Sequence, residues 1–197
     1  MSTESKKHIL PVLPWNKGAE LTWFEYRSGY KKAADALTLT LLNGDGTLID
    51  ERFGMVYPIM FLYRHYIEIE FKDLLAIIGM TTLVDTKNTL RHDLKALWLK
   101  VLECVEAVQG VDARREFAET FERIVEFFVK LDPHGDGFRY PKSAKGNSQW
   151  DNSFEIDIDA VKAAVNRLEQ CCYELRSEFK QLIDPEATDI SERYYFY

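Results

Sequence analysis

One stretch limits what this chain can become. From Met55 to Gly79 it runs MVYPIMFLYRHYIEIEFKDLLAIIG, too apolar for a surface helix and too regularly charged for a plain core helix. At helical spacing Leu62, Tyr66 and Ile69, with Tyr63, Ile67, Leu74, Leu75 and Ile78, cover most of the circumference, as a helix enclosed by others requires. What remains is a narrow polar stripe in which Arg64, Glu68 and Lys72 recur every fourth residue with His65 beside them. That spacing stacks side chains on one face, where opposite charges neutralise, and Glu68 ahead of Lys72 is the favourable order. Such a stripe serves either as an ion-pair ladder covered by neighbouring helices or as a pocket wall for an anionic group.

The flanking segments repeat the helical period. Leu21 to Leu42 predicts a first helix with Phe24, Tyr30, Ala33, Ala34, Leu37 and Leu41 on one face, stopped by Asn43-Gly44-Asp45-Gly46. Thr47 to Val56 is expected to connect it to the central helix, with Pro58 in that helix's first turn, where a missing amide hydrogen is harmless. Leu94, Leu97, Trp98, Val101, Leu102, Val105 and Val108 predict a helix ending near Gly110. Asp112 is expected to cap the next one, which carries Phe117, Phe121, Ile124, Val125, Phe128 and Leu131. The short connection makes these two antiparallel neighbours. A last helix starts at Asp157 or Asp159, is expected to bury Val161, Ala164, Val165, Leu168, Cys172, Leu175, Phe179 and Leu182, and ends before Pro185. Five amphipathic helices without strand alternation predict an all-α, five-helix up-and-down bundle. One domain over 20–183 is expected, after a leader at 1–19 and before an aromatic tail at 184–197 that docks or frays. The loop 132–150 lacks periodicity, but its aromatic residues argue for order.

Charge narrows the function classes. With 32 acids against 25 bases the net charge is -7, which argues against broad electrostatic binding of DNA and confines any nucleic-acid contact to a local patch. The opening MSTESKKHILPVLPW, broken by Pro11 and Pro14, lacks a signal peptide's apolar core, and no apolar run is long enough to span a membrane. Cys104, Cys171 and Cys172 cannot all pair, so reduced thiols in a cytoplasmic protein are expected.

Two segments together, YRHYIEIEFKDLL from Tyr63 to Leu75 and HDLKALW from His92 to Trp98, resemble the HEPN superfamily of small helical-bundle domains. GFRYP from Gly137 to Pro141 is similar to a subset of the same proteins. The resemblance implies a bundle that often dimerises and a function around RNA, either as a metal-independent ribonuclease of toxin and phage-defence systems or as a partner of nucleotidyltransferases. The family's ribonuclease signature, an Arg followed after four to six residues by a His, is missing from this chain. The Arg positions hold Pro58, Ile59 and Met60 before His65, and Asp85, Thr86 and Lys87 before His92. Before His134 they hold Phe127, Phe128 and Val129.

Cleaving RNA without metal needs a base for the 2'-hydroxyl, an acid for the leaving oxygen and a cation for the charged transition state. His65 and His92 are the candidate catalytic residues, although His92 beside Asp93 also suits a role in capping or packing. Arg64, Glu68, Lys72, Arg139 and Lys142 are the candidate ligand-binding residues. Arg139, Lys142 and Lys145 come from a loop stretch without an intervening acid and alternate with Phe138 and Tyr140, a pattern that suits an anion or a nucleic acid. Equally, Phe138 and Tyr140 can plug the bundle while Arg139 bonds loop carbonyls. Asp132 to Gly137 imitates half a calcium loop, but His134 and Ser143 stand where ligands should be. No phosphate loop, zinc spacing or nucleophile elbow occurs, so neither metal nor cofactor is expected. The leading expectation is an HEPN-like RNA- or nucleotide-associated module of a bacterial stress or phage-defence system, homodimeric and without membrane contact. A divergent ribonuclease and a structural or protein-interaction bundle are the rivals.

Overall fold

These periodicities become five helices in the computed structural model, which describes residues 23–44, 49–79, 92–142, 146, 148 and 155–183, with side chains at 23, 49–53 and 183 excepted. They are α1 (Trp23–Asn43), α2 (Ile49–Ile78), α3 (Leu94–Gln109), α4 (Val111–Leu131) and α5 (Ile158–Ile183). Among the described residues the one extended pairing is an isolated bridge between Lys142 and Ser148. None of these helices is long and apolar enough to cross a membrane. The expected leader and aromatic tail lie outside the described residues.

α2 is the axle of the bundle, packing against α1, α3 and α5. It starts earlier than expected: the predicted connection through Val56 is helical from Ile49, and Pro58 falls inside the helix rather than in its first turn. Proline there removes one hydrogen bond to the carbonyl four residues back. Both Pro58 and Gly54 are exposed, so water can reach that carbonyl.

Side-chain contacts set the sense of each helix and correct the up-and-down order. Arg27 of α1 meets Glu70 while Asp35 meets Tyr63, so α1 runs against α2. Going along α3, His92 meets Glu68, Trp98 stacks on Phe71, and Gln109 reaches Glu178 of α5. Along α1, Arg27 shares Glu70 with Arg176 of α5 and Lys31 meets Glu169, so α5 runs against α1 and, like α3, in the same sense as α2. The long α2–α3 connection makes this possible. A stretch the length of 80–91 can reach about 40 Å when extended, against about 18 Å of helix between Tyr66 and Ile78. α3 and α4 form the expected tight antiparallel pair. Gly110 ends one and starts the other at φ +90°, a backbone conformation open to glycine.

Caps follow local chemistry. Asp93 accepts a hydrogen bond from the Ala96 amide at 3.0 Å and starts α3. Asp157 does the same for Ala160 at 2.9 Å and starts α5, as expected of one of its two candidate caps. Asp112 is not a cap: α4 begins one residue earlier, and Asp112 instead pairs with exposed Arg115 at 2.7 Å. The core is aromatic where α2, α3 and α4 meet, with Phe71 stacked on Trp98, Trp98 on Phe117, and Phe121 edge-on to Phe117. Cys104 and Cys172 are buried free thiols and Cys171 is half-buried. Burial pushes the Cys104 thiol up to about 11, which leaves it a poor nucleophile.

Candidate functional site

The predicted stripe on α2 forms one connected cluster. Arg64, buried to 2% exposure, is held at every nitrogen. Its Nε donates to the Asp132 carbonyl at 3.0 Å, Nη1 to Glu68 at 3.1 Å and Nη2 to the His92 carbonyl at 3.0 Å. One guanidinium therefore ties α2 to the residue after α4 and to the residue before the α3 cap. Glu68 accepts at one oxygen from Arg64, while its Oε1 lies 2.8 Å from both Lys72 Nζ and His92 Nδ1. Burial alone would raise the Glu68 carboxyl, but the hydrogen bonds and charges of Lys72 and His92 outweigh it and hold the group below its usual 4.5. The carboxylate is therefore ionised, which requires the Nδ1 of His92 to carry a hydrogen and donate it. The His92 side chain is 72% exposed, so its Nε2 edge is open to solvent.

The α4–α5 loop closes the other side of the guanidinium. Asp132 turns inward, its Oδ1 accepting from the Gly137 amide at 2.8 Å and its Oδ2 lying 3.5 Å from Arg64 Nε. Gly135 adopts φ +78°, and a Cβ there would stand 2.8 Å from Arg64 Nη1. Glycine is required twice over at this position, once by the backbone and once by the guanidinium. Phe138 plugs the bundle at 5% exposure, while Tyr140 is exposed. Phe138 and Tyr140 thus divide between packing and surface.

Arg139 and His65 belong to a neighbouring aromatic strip, without a bond to the Arg64 cluster. The Arg139 guanidinium sits 5.6 Å from the Phe61 ring and 5.7 Å from the Tyr140 ring. Phe61 stacks on His65 at 5.6 Å, and His65 meets Tyr30 edge-on at 4.4 Å. Burial holds the His65 imidazole below its usual 6.5, so near neutral pH the ring is uncharged and packs like an aromatic. Lys142 is exposed two residues beyond Tyr140. Of the two candidate histidines, His92 has the geometry of a proton carrier and His65 that of a stacking ring.

A second charged face of α2 does not show in the sequence, where the helix outside the Arg64 stripe reads as apolar. Glu70 stands about 200° round the helix from Glu68, and its two oxygens accept from Arg27 Nη1 at 2.9 and 2.6 Å. Arg176 Nη2 also donates to Glu70, and Arg176 Nε lies 3.1 Å from Asp73. Arg27 Nε is 3.6 Å from the same Asp73 oxygen. Burial raises the Asp73 carboxyl above its usual 3.8 despite the pull of Arg176 and Arg27. Two acids and two bases are thereby sealed among α1, α2 and α5. The signal was the i, i+3 pair Glu70 and Asp73 in EFKD, whose partners are distant in sequence.

Among the described residues, no group of three or more His, Cys, Asp or Glu side chains is arranged to hold a metal ion. The chain matches no family model, no curated protein and no solved structure.

Proposed function

We propose that this chain is an HEPN-like RNA-associated module whose ligand lies along the exposed side of α2, between Arg139 and His92. Arg139 is the observation that carries the reading. Its guanidinium spreads over Phe61 and Tyr140, and the arginine and tyrosine are both exposed, combining a cation for phosphate with a ring face for a base. In an acidic chain such a local patch is where nucleic acid can be held. Arg64 and Glu68 brace this side from within: both are buried, and they fix the carbonyl and the ring of His92. The homodimeric form and the stress or phage-defence setting follow from the resemblance of Tyr63–Leu75 and His92–Trp98, and are proposed with it.

Replacing Arg139 and Lys142 together by alanine is expected to weaken binding of single-stranded RNA by about tenfold at low salt, since each lost phosphate contact removes counterion release. Unchanged affinity in that titration removes the assignment.

A second reading, metal-independent cleavage of RNA, is favoured by the Glu68–His92 pair. A carboxylate that fixes Nδ1–H and leaves Nε2 outward is the arrangement by which an imidazole accepts a proton from a 2'-hydroxyl or returns one to a leaving oxygen. Incubation with mixed RNA in excess chelator is expected to show cleavage that His92→Ala abolishes and His65→Ala retains. Equal products from the wild type and His92→Ala would exclude it.

A further inference from the structure

A shallow groove of about 380 Å³ lies between α1 and α2, lined by Glu25, Tyr26, Gly29, Tyr30, Ala33 and Leu62. Two tyrosines flank the small residue Gly29, with Ala33 beyond, and the one charged group in the wall is a carboxylate. Tyr26, Gly29 and Ala33 are exposed, while Tyr30 and Leu62 are half-buried. A Cβ built at Gly29 meets no atom within 4 Å, so close packing does not ask for glycine there. Its missing side chain leaves a depression beside the rings.

Rings beside gaps form a surface that receives an extended, proline-bearing segment. Aromatic-lined grooves bind polyproline II helices, which have no internal hydrogen bonds to give up and little freedom to lose. One stretch of this chain has that chemistry, Pro11-Val12-Leu13-Pro14-Trp15. Each proline fixes its own φ and biases the residue before it toward an extended backbone.

We infer that the chain's own segment 11–15 docks in this groove, bringing Lys17 to the Glu25 end. The inference is independent of RNA binding. Four observations select this occupant. The first is length: Glu25 to Ala33 is about 12 Å of helix, and residues 11–15 in polyproline II span about 12 Å. The second is entry. Glu25 and Tyr26 stand at the start of α1, which is where the chain from residue 15 joins it. Residues 16–22 suffice to fold back, since such a link reaches up to about 27 Å, and Asn16-Lys17-Gly18 has turn-forming residues. The third is charge, because the chain from Lys6 to Lys17 carries three lysines and no acid to meet a wall whose only charge is Glu25. The fourth is size. Six lining residues are few for a free partner, whose stable interface needs about 1,200 Å² or more, whereas a tethered segment docks at a high effective concentration.

The aromatic tail is a poorer fit. Arg27 and Lys31 turn toward α5, through Glu70 and Glu169, and each stands about 100° round α1 from Tyr26 and Tyr30. The tail therefore sets out from the other flank of α1, and its aromatic end, 194–197, has no proline.

The test is tryptic digestion of the full chain, read by mass spectrometry at two bonds, after Lys17 and after Arg193. Docking holds the Lys17 bond against the bundle, so filling the groove should expose it. In Gly29→Leu the new side chain points into open space and raises helix propensity, so the variant is expected to melt at or above the wild-type temperature. Its cleavage after Lys17 is expected to be about tenfold faster, because cutting tracks the population of the undocked segment. Cleavage after Arg193 is expected to stay unchanged. The double variant Pro11→Ala, Pro14→Ala alters no helix residue and is expected to act as Gly29→Leu does. Wild-type cleavage after Lys17 as fast as in both variants overturns the inference. Two other results overturn it by naming another occupant. Faster cutting after Arg193 alone in Gly29→Leu gives the groove to the tail, and wild-type protection of Lys17 that falls on dilution gives it to the same segment of a second copy.

Discussion

The two charged clusters on α2 sit back to back and differ in one respect: one is closed and the other has an outlet. On the α1 and α5 side, Glu70 and Asp73 are matched by Arg27 and Arg176, with no side chain more than 11% exposed. On the α3 and loop side, Arg64, Glu68 and Asp132 are as deeply buried, but Glu68 also holds His92, which stands 72% exposed. A sealed network fixes how helices meet and offers a ligand nothing. An open one carries the order of its buried members out to a surface group. Charge on a buried helix is thus a poor guide to function until its exit is known, and only the second cluster has one.

Glu70→Ala should break this comparison hardest. It leaves Arg27 and Arg176 buried without their shared carboxylate and is expected to cost about 3–5 kcal/mol in chemical denaturation. Glu68→Ala should cost less, about 2 kcal/mol, because Arg64 keeps two backbone carbonyls and both Lys72 and His92 can turn to water. Equal losses would show that the two clusters are equally closed.

Gly135→Ala is expected to destabilise by about 2 kcal/mol, combining the penalty of a left-handed backbone with displacement of Arg64. Its effect should vanish in an Arg64→Ala background except for the backbone part, a coupling that a double-mutant cycle measures.

Acid titration separates the clusters by sign. Glu68 is depressed in the fold, so its contribution is present above pH 4.5 and is lost as pH falls through its folded value. Asp73 is raised, so its neutral form suits the fold, and stability is gained as pH falls through its folded value toward 3.8. Glu68→Gln should therefore flatten the fall in stability below pH 4.5, whereas Asp73→Asn should steepen it over the range just above 3.8. The same slope for both variants would contradict the assignment. His65 adds a separate step, because a depressed histidine stabilises above pH 6.5 and loses that contribution as pH falls through its folded value. His65→Phe should remove this step.

The smallest effect on stability is expected from Arg139→Ala, under about 1 kcal/mol for an exposed cation over two rings. A large drop in melting temperature would make Arg139 a structural clamp and take away the ligand reading.

What the sequence made legible follows from how far apart the interacting residues lie. The helices could be read because each apolar face is local, and Arg64, Glu68 and Lys72 could be read because they repeat every four residues on one helix. His92 could be paired with that stripe only through the resemblance of its segment. The inner cluster was not legible, since Arg27 and Arg176 stand 43 and 106 residues from Glu70 and no period links them. Asp132 was missed for the same reason, 68 residues from Arg64. The sense of α3 was missed because a long connection permits either direction. Pro58 reads as a helix start because its local preference is strongest there, and the packing of α2 overrides that preference.

The position of Arg176 has a consequence for how the protein is made. As the chain leaves the ribosome, α1 and α2 emerge together, yet Glu70 and Asp73 then face a single guanidinium, Arg27, on a surface that α5 has not covered. Two carboxylates against one cation favour water over an apolar contact, so the earliest helices stay loosely associated until the second arginine arrives from α5. Completion of the fold is thereby tied to synthesis of its last helix, and a nascent chain stalled before residue 176 should remain open to proteolysis.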